Sequence, residues 1–343
     1  MVSVSKLSLG GPIQNTAGTW DYATDNTAMF LKLFAGEVLT AFEERNIMLP
    51  LTRVRTISNG KSAQFPVTGT ASANYFQAGE DILVDGGATD YLSNIQVAEK
   101  VIKVDDMLIS SCFIHDLDEA MSHYNYRGPF SVELGRALAN TLDKNIIKMI
   151  FKSATTVSQA DPLLNGMGEV DLGAATTGAV ATAGLVDAFF QAAQKMDEGD
   201  MGPEGRFAVI EPELYYRLIN SAGTLGNVIN RDYTGGGSNG SVQSGQVMDI
   251  AGIKIYKSNH IKDVRALGTT TAANGENNDY TGNFSLLGGI FGNEECVGTV
   301  KLKDVSLEQD YLINRQGDLM VAKMALGSAP LRANCAGYFK LEV

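Results

Sequence analysis

Residues 53–105 restrict the possible folds of this chain more than any other stretch. "RVRTI" (53–57) alternates polar and apolar. "SAQFPVTG" (62–69) and "ANYFQAG" (73–79) follow, and "NIQVAEKVIKVDD" (94–106) closes the region, with turn residues at "VDGGATD" (84–90) between the flanks. Period-two alternation broken by Gly and Asp predicts strands and tight turns. The outline is a long two-stranded excursion. Such a ribbon is marginal on its own in water, so it must lie on something. An edge that pairs with a neighbouring subunit is the natural solution. Within it, "SNGKSAQFPVTG" (58–69) is poor in charge. It is not a phosphate loop: Gly60-Lys61-Ser62 has the right ending, but Arg55 stands where the motif needs its first Gly.

The flanking segments are helical. Asp25, Asn26 and Thr27 offer N-caps, after which Phe30, Phe34, Val38 and Phe42 repeat at four-residue spacing and build one broad apolar face. Asn46 and Pro50 end that helix. Downstream, Leu134, Leu138, Leu142, Ile146 and Ile150 form an i, i+4 ladder, with Pro129 suited to the first turn. The ladder predicts a long helix within 128–152. Lys144, Lys148 and Lys152 sit towards its C-terminal end, where cations complement the helix dipole. Further on, the pattern predicts a helix over 185–196, a strand over 206–210 followed by a helix opened by Pro212, and a strand over 252–261. Strand-like sequence then runs from Ser285 to the end. Helices and strands mix without regular βαβ alternation, so the class is α+β.

The chemistry-bearing residues are sparse. His115 and His123 lie in "HDLDEAMSHY", but eight residues separate them and a helix would place them about 80° apart; a solvated or structural role is favoured over a metal site. His260 lacks any spacing to Cys or Asp. Cys112, Cys296 and Cys335 are widely spaced, which argues against a zinc site or a disulfide framework. Glu294 and Glu295 beside Cys296 would raise its thiol pKa, which is wrong for a nucleophile. The carboxylate pairs Glu43/Glu44 and Asp105/Asp106 diverge on either a helix or a strand. No catalytic motif and no cofactor is indicated. Neither a signal peptide nor a run of about 18 apolar residues is seen, so no membrane partner is expected. A net charge of −12 disfavours tight nucleic-acid binding. A chain this long with so little chemistry reads as a building block.

Six blocks carry a resemblance: "AMFLKLFAGEVLTAFEERN" (28–46), "ISNGKSAQFPVTG" (57–69), "ANYFQAGE" (73–80), "DLDEAMSHY" (116–124), "VGTVKLKDVSLE" (297–308) and "MALGSAPLR" (324–332). In order and content they resemble the major capsid proteins of T7-like podoviruses, while 153–283 matches only in outline. The resemblance implies the HK97-like capsid fold. Mapped onto this sequence, it implies an N-terminal arm over 1–52 and an extended loop over 53–105. A peripheral domain with a spine helix would occupy 106–154, an axial domain 155–285, and the return to the periphery 286–343. On this reading Lys61, Gln64, Phe65, Tyr75 and Phe76 contact an adjacent subunit through the extended loop. Phe30, Phe34 and Phe42 pack the arm helix, and Leu134, Leu138, Leu142 and Ile146 form the spine.

The resemblance also implies partners. These are further copies of the chain in hexamers and pentamers, a scaffolding protein during assembly, a portal at one vertex, and double-stranded DNA enclosed without sequence-specific contact. A cement protein is a further candidate partner. The virion, assembled in the host cytoplasm, would be the location. The isopeptide bond of some members of this fold, for which Lys61 and Asn334 would be the pair, is not expected in this branch. The alternatives are a virion decoration or tail structural protein, which would lack the spine helix and arm, and a hydrolase with an unrecognised site.

Overall fold

The computed structural model describes residues 46–68, 73–76, 97–122, 127–156, 165–172, 182–219, 240–241, 246–247, 249–270 and 277–341. The predicted arm helix with Phe30, Phe34 and Phe42 lies outside these residues, as does His123. The chain divides into two compact units: Asn46–Met107, Asn140–Asp304 and Ala325–Val343 form the larger, and Met1–Arg45, Leu108–Ala139 and Val305–Met324 the smaller.

In the larger unit the chain enters at a short 3-10 turn, Leu49–Leu51. Its start is pinned by Asp143, a buried carboxylate that accepts hydrogen bonds from the backbone N–H groups of Ile47 (3.1 Å) and Met48 (3.3 Å). Strand β1 (Arg53–Thr56) follows, then the antiparallel pair β2 (Ser62–Thr68) and β3 (Val97–Lys103). Their register runs from Ser62 opposite Lys103 to Thr68 opposite Val97. β1 belongs to a different sheet: it lies parallel to the start of a later strand, with Arg53 opposite Gly298. The ribbon proper therefore starts at Ser62, later than the predicted excursion.

In the smaller unit β4 (Leu108–His115) leads into α1 (Asp116–Met121). Helix α2 follows, covering Arg127–Thr155, 29 residues and about 44 Å long at 1.5 Å per residue. Leu134 and Leu138, which belong to this unit, are buried, as are Leu142, Ile146 and Ile150 in the larger one. Pro129 is accommodated because first-turn N–H groups need no intrahelical partner. The helix outlasts its predicted end by three residues; Thr155 and Thr156 then turn their hydroxyls back onto the carbonyls of Phe151 and Lys152 and close it.

The core of the larger unit is a six-stranded sheet. β5 (Glu169–Asp171), β6 (Phe207–Ile210), β9 (Asp249–Ile250), β10 (Ile253–Lys257), β13 (Leu287–Gly292) and β16 (Ala336–Lys340) are ordered β5-β16-β13-β6-β10-β9. Small pairs β7–β8 (Gly240–Ser241, Gln246–Val247) and β11–β12 (Thr269–Thr270, Gly282–Asn283) lie outside it. β6 and β13 are buried at every residue. Phe339 packs its ring 4.9 Å from Phe291 and 5.1 Å from Phe189. Gly337 is required beside them: a Cβ there would stand 2.1 Å from the Phe291 ring. Helices α3 (Thr182–Glu198), α4 (Pro212–Ile219) and α5 (His260–Ala266) complete the unit. The strand predicted over 252–261 ends early at Lys257 and α5 begins at His260, whose N–H donates to the Ser258 hydroxyl at 3.2 Å. That local side-chain acceptor favours a helix start over continued strand.

The long strands β14 (Val297–Leu312) and β15 (Gly317–Pro330) run through the C-terminal third. In the smaller unit β15 pairs antiparallel with β4, from Gly317 opposite His115 to Met324 opposite Leu108. Gln316, at φ 51°, turns the chain between β14 and β15.

Candidate assembly surface

The ribbon is where sequence and structure test each other most directly. Alternation on β2 turns Ala63 and Phe65 to one face and Ser62, Gln64 and Pro66 to the other. The inward face packs on the chain itself: Ala63 and Phe65 join Ile102, Val104, Val300, Ala325 and Ala329 in one buried cluster. Phe65, expected to contact a neighbouring subunit, is only 6% exposed and packs into the core of its own unit. The physical reason is its register with Ala63, which places both over β14 and β15 residues of the same unit. Lys61 is exposed in the turn before β2, and its carbonyl accepts the Val104 N–H at 2.8 Å. Gln64 faces solvent, while its carbonyl accepts an Arg55 guanidinium N–H at 2.6 Å. Tyr75 is 100% exposed and Phe76 53%.

A polar clasp anchors the ribbon where β3 leaves it. The Asp105 carboxylate accepts from the backbone N–H of Asn277 (2.8 Å) and of Asn278 (3.0 Å), from Asn278 Nδ2 (2.8 Å) and from the Tyr280 hydroxyl (2.6 Å). Asn277 and Asn278 also donate their side-chain amides to the carbonyls of Val104 and Lys103. Burial raises the Asp105 pKa, and the four donors oppose that rise without cancelling it. Gly327 sits against this knot; a Cβ there would meet the Lys103 carbonyl at 2.0 Å. The sequence placed Asp105 only in an adjacent carboxylate pair. Its role depends on residues more than 170 positions away, which no local spacing reveals.

Beside the ribbon lies an open pocket of about 500 Å³. Arg53, Arg55 and Arg332 line it together with Glu295, and Phe65, Pro66, Val54 and Leu331 give it an apolar part. The Arg55 guanidinium lies 5.7 Å from the centroid of the Phe65 ring. Sequence reasoning missed this pocket. The available signal was two arginines at i, i+2 on a strand, which share a face.

The remaining candidates for chemistry take structural places. His115 packs edge-on against Phe113, and His260 is buried. Cys296 is buried, and burial raises its thiol pKa, with Cys335 adding to the rise; the expected direction holds, but the cause is desolvation and not the adjacent glutamates. Cys335 is pushed up to about 11, again chiefly by burial. Among the described residues no group of three His, Cys, Asp or Glu side chains is placed to hold a metal, and no helix is long and apolar enough to cross a membrane. Large apolar side chains stay exposed in both units, among them Ile109, Leu117 and Ile313 in the smaller and Tyr75, Phe76 and Phe190 in the larger.

Comparison with known proteins fixes the class first. The fold matches the capsid protein of cyanophage P-SCSP1u at a TM-score of 0.75 and 40% identity over 92% of this chain and 93% of that one. It also matches that of the mature capsid of bacteriophage PhiM1 at a TM-score of 0.69 and 17% identity over 94% and 95%. This is the HK97-like shell fold of phage capsids. In sequence the chain is 31% identical to the major capsid protein of Escherichia phage T7, over 93% of this chain and 94% of that protein. The family model for Gp10A-like major capsid proteins matches residues 64–340, and the chain belongs to that family. It is a major capsid protein of a tailed phage, a structural component of the virion shell.

Proposed function

We propose that this chain assembles as hexamers and pentamers into an icosahedral head that encloses double-stranded DNA without sequence-specific contact. Scaffolding protein would template the precursor shell, a portal would occupy one vertex, and a cement protein would be an optional later addition. Assembly would take place in the host cytoplasm. The role is structural and not catalytic. Residues 1–52 would serve as the arm, the ribbon and its extension up to 105 as the extended loop, 106–154 and 286–343 as the peripheral domain, and 155–285 as the axial domain. Lys61, Gln64, Tyr75 and Phe76 are the subunit contacts on this reading.

The observation that carries it is Tyr75. A fully exposed tyrosine next to a half-exposed Phe76, just beyond β2 in sequence, offers aromatic surface that a neighbouring copy can cover. Aromatic side chains of this kind anchor interfaces. Closed rings repeat such a contact, so modest individual energies sum over many copies. Negative-stain electron microscopy of the protein expressed with and without its scaffold tests the proposal. Closed shells, or free hexamers and pentamers, are expected; a monodisperse monomer under every assembly condition would refute it.

A further inference from the structure

Among the described residues, two charges beside the ribbon have no ion-pair partner. Arg136, Arg206, Arg217, Arg265 and Arg332 each pair with a carboxylate. Among the described residues Arg53 and Arg55 form no ion pair, although the chain carries a net charge of −12. Both project from one face of β1, which is exposed along its whole length. Arg55 is held in place by the Gln64 carbonyl and the Phe65 ring, so its guanidinium is fixed before anything binds. The same pocket offers Pro66 and Leu331 as apolar lining. Oriented guanidinium groups beside an apolar wall suit a carboxylate-bearing stretch of peptide. The Glu295 carboxylate that also lines the pocket is paired with Arg332 at 2.7 Å, which leaves Arg53 and Arg55 as the cations facing an incoming anion.

We infer that this pocket receives the acidic stretch 80–90 of a second copy of the chain. Between Lys61 and Lys100 the sequence holds Glu80, Asp81, Asp85, Asp90 and Glu99 and no Lys, Arg or His. Several other carboxylates already have cations within the chain: Asp197 pairs with Arg206, Asp279 with Lys152, Asp304 with Lys301 and Glu308 with Lys323. The inference rests on the proposed assembly, in which residues 53–105 supply a loop that lies on a neighbour, and it names the receptor for that loop.

Charge reversal tests it in the full-length chain co-expressed with scaffold. Arg53→Glu/Arg55→Glu should cut shell yield at least about tenfold through like-charge repulsion, and Asp81→Lys/Asp85→Lys should do the same. Combining all four substitutions in one chain should restore shells. Mixing the two double variants should also restore ring assembly, because each reversed pocket then meets a reversed loop from its neighbour. Rescue by the fourfold variant without rescue by mixing would mean that the loop contacts its own pocket, and would overturn the inference. So would shells of Arg53→Glu/Arg55→Glu that form at normal yield but retain less DNA, since phosphate would then be the occupant. If the Glu variants melt lower than the parent subunit, Arg53→Gln/Arg55→Gln replaces them, with a smaller loss of yield expected and unchanged yield counting against the inference. Failure of the unaltered chain to form shells would count against the proposed assembly itself.

Discussion

Strand β13 at the centre of the six-stranded sheet buries every residue; over Ser62–Pro66, β2 in the ribbon buries alternate ones, Ala63 and Phe65. The first strand has neighbours on both edges. Among the described residues the second has one strand partner and a single supporting face. A chain that finishes its own burial in one place and leaves it half finished in another separates two jobs. The sheet holds the subunit together, and on the proposed assembly the ribbon carries surface for a neighbouring copy to cover. The contrast also separates residues that look alike in sequence. Phe65, Tyr75 and Phe76 lie within a dozen positions of each other, yet the first is core and the other two are exposed.

The largest expected effect is in the sheet. Phe339→Ala removes a fully buried ring that touches Phe291 and Phe189, and should lower subunit stability by about 3–5 kcal/mol in urea unfolding. Near-normal stability would mean that the sheet is not the subunit's core, and the comparison would fail. In the ribbon the effects should divide. Phe65→Ala should cost about 3 kcal/mol of subunit stability, because its cluster is smaller and lies near the surface. Tyr75→Ala should leave subunit stability within about 0.5 kcal/mol and depress shell yield instead. Equal effects of the two on unfolding would erase the distinction between the supported face and the outer part of the ribbon.

Asp143→Ala probes a region between these extremes. It leaves the N–H groups of Ile47 and Met48 without their carboxylate acceptor at a buried site, at a cost of about 1–3 kcal/mol. Faster amide exchange confined to the chain entry at residues 46–52 should accompany the loss. Exchange spread evenly over the subunit would show that Asp143 supports more than that entry.

The same comparison explains what the sequence revealed. Elements built on one long periodic signal were legible: the leucine ladder gave α2, and Pro212 gave the start of α4. Hydrophobic periodicity reports which face is buried, but not by whose side chains. Phe65 was therefore recognisable as a residue that must be covered, while its cover from Val300 and Ala329, more than 230 positions away, was invisible. The Asp105 clasp and the three-arginine pocket have the same origin in long-range contacts. The end of β10 was missed for a local reason: one serine hydroxyl, Ser258, outcompetes an alternating pattern. Family resemblance supplied the topology that periodicity lacked, but not the assignment of individual side chains to core or interface.

Among the substitutions expected to lower subunit stability, the smallest effect belongs to the ion pair between Lys152, near the end of α2, and Asp279. The Lys152 ammonium and the Thr281 hydroxyl and N–H hold the Asp279 carboxyl at about 2, below its ordinary 3.8. A depressed carboxyl pKa stabilises the folded state above the unfolded value, and this contribution disappears as pH falls through the folded value. The Asp279 side chain is 64% exposed, so screening limits the pair to at most about 1 kcal/mol. Asp279→Asn should therefore be slightly less stable than the parent at pH 6, and the two should converge as pH drops from about 4 towards 2. A gap that persists at pH 2 would assign the effect to the Thr281 hydrogen bonds rather than to charge. A gap well above 1 kcal/mol at pH 6 would show that Lys152 and Asp279 form part of the buried framework that the six-stranded sheet otherwise supplies.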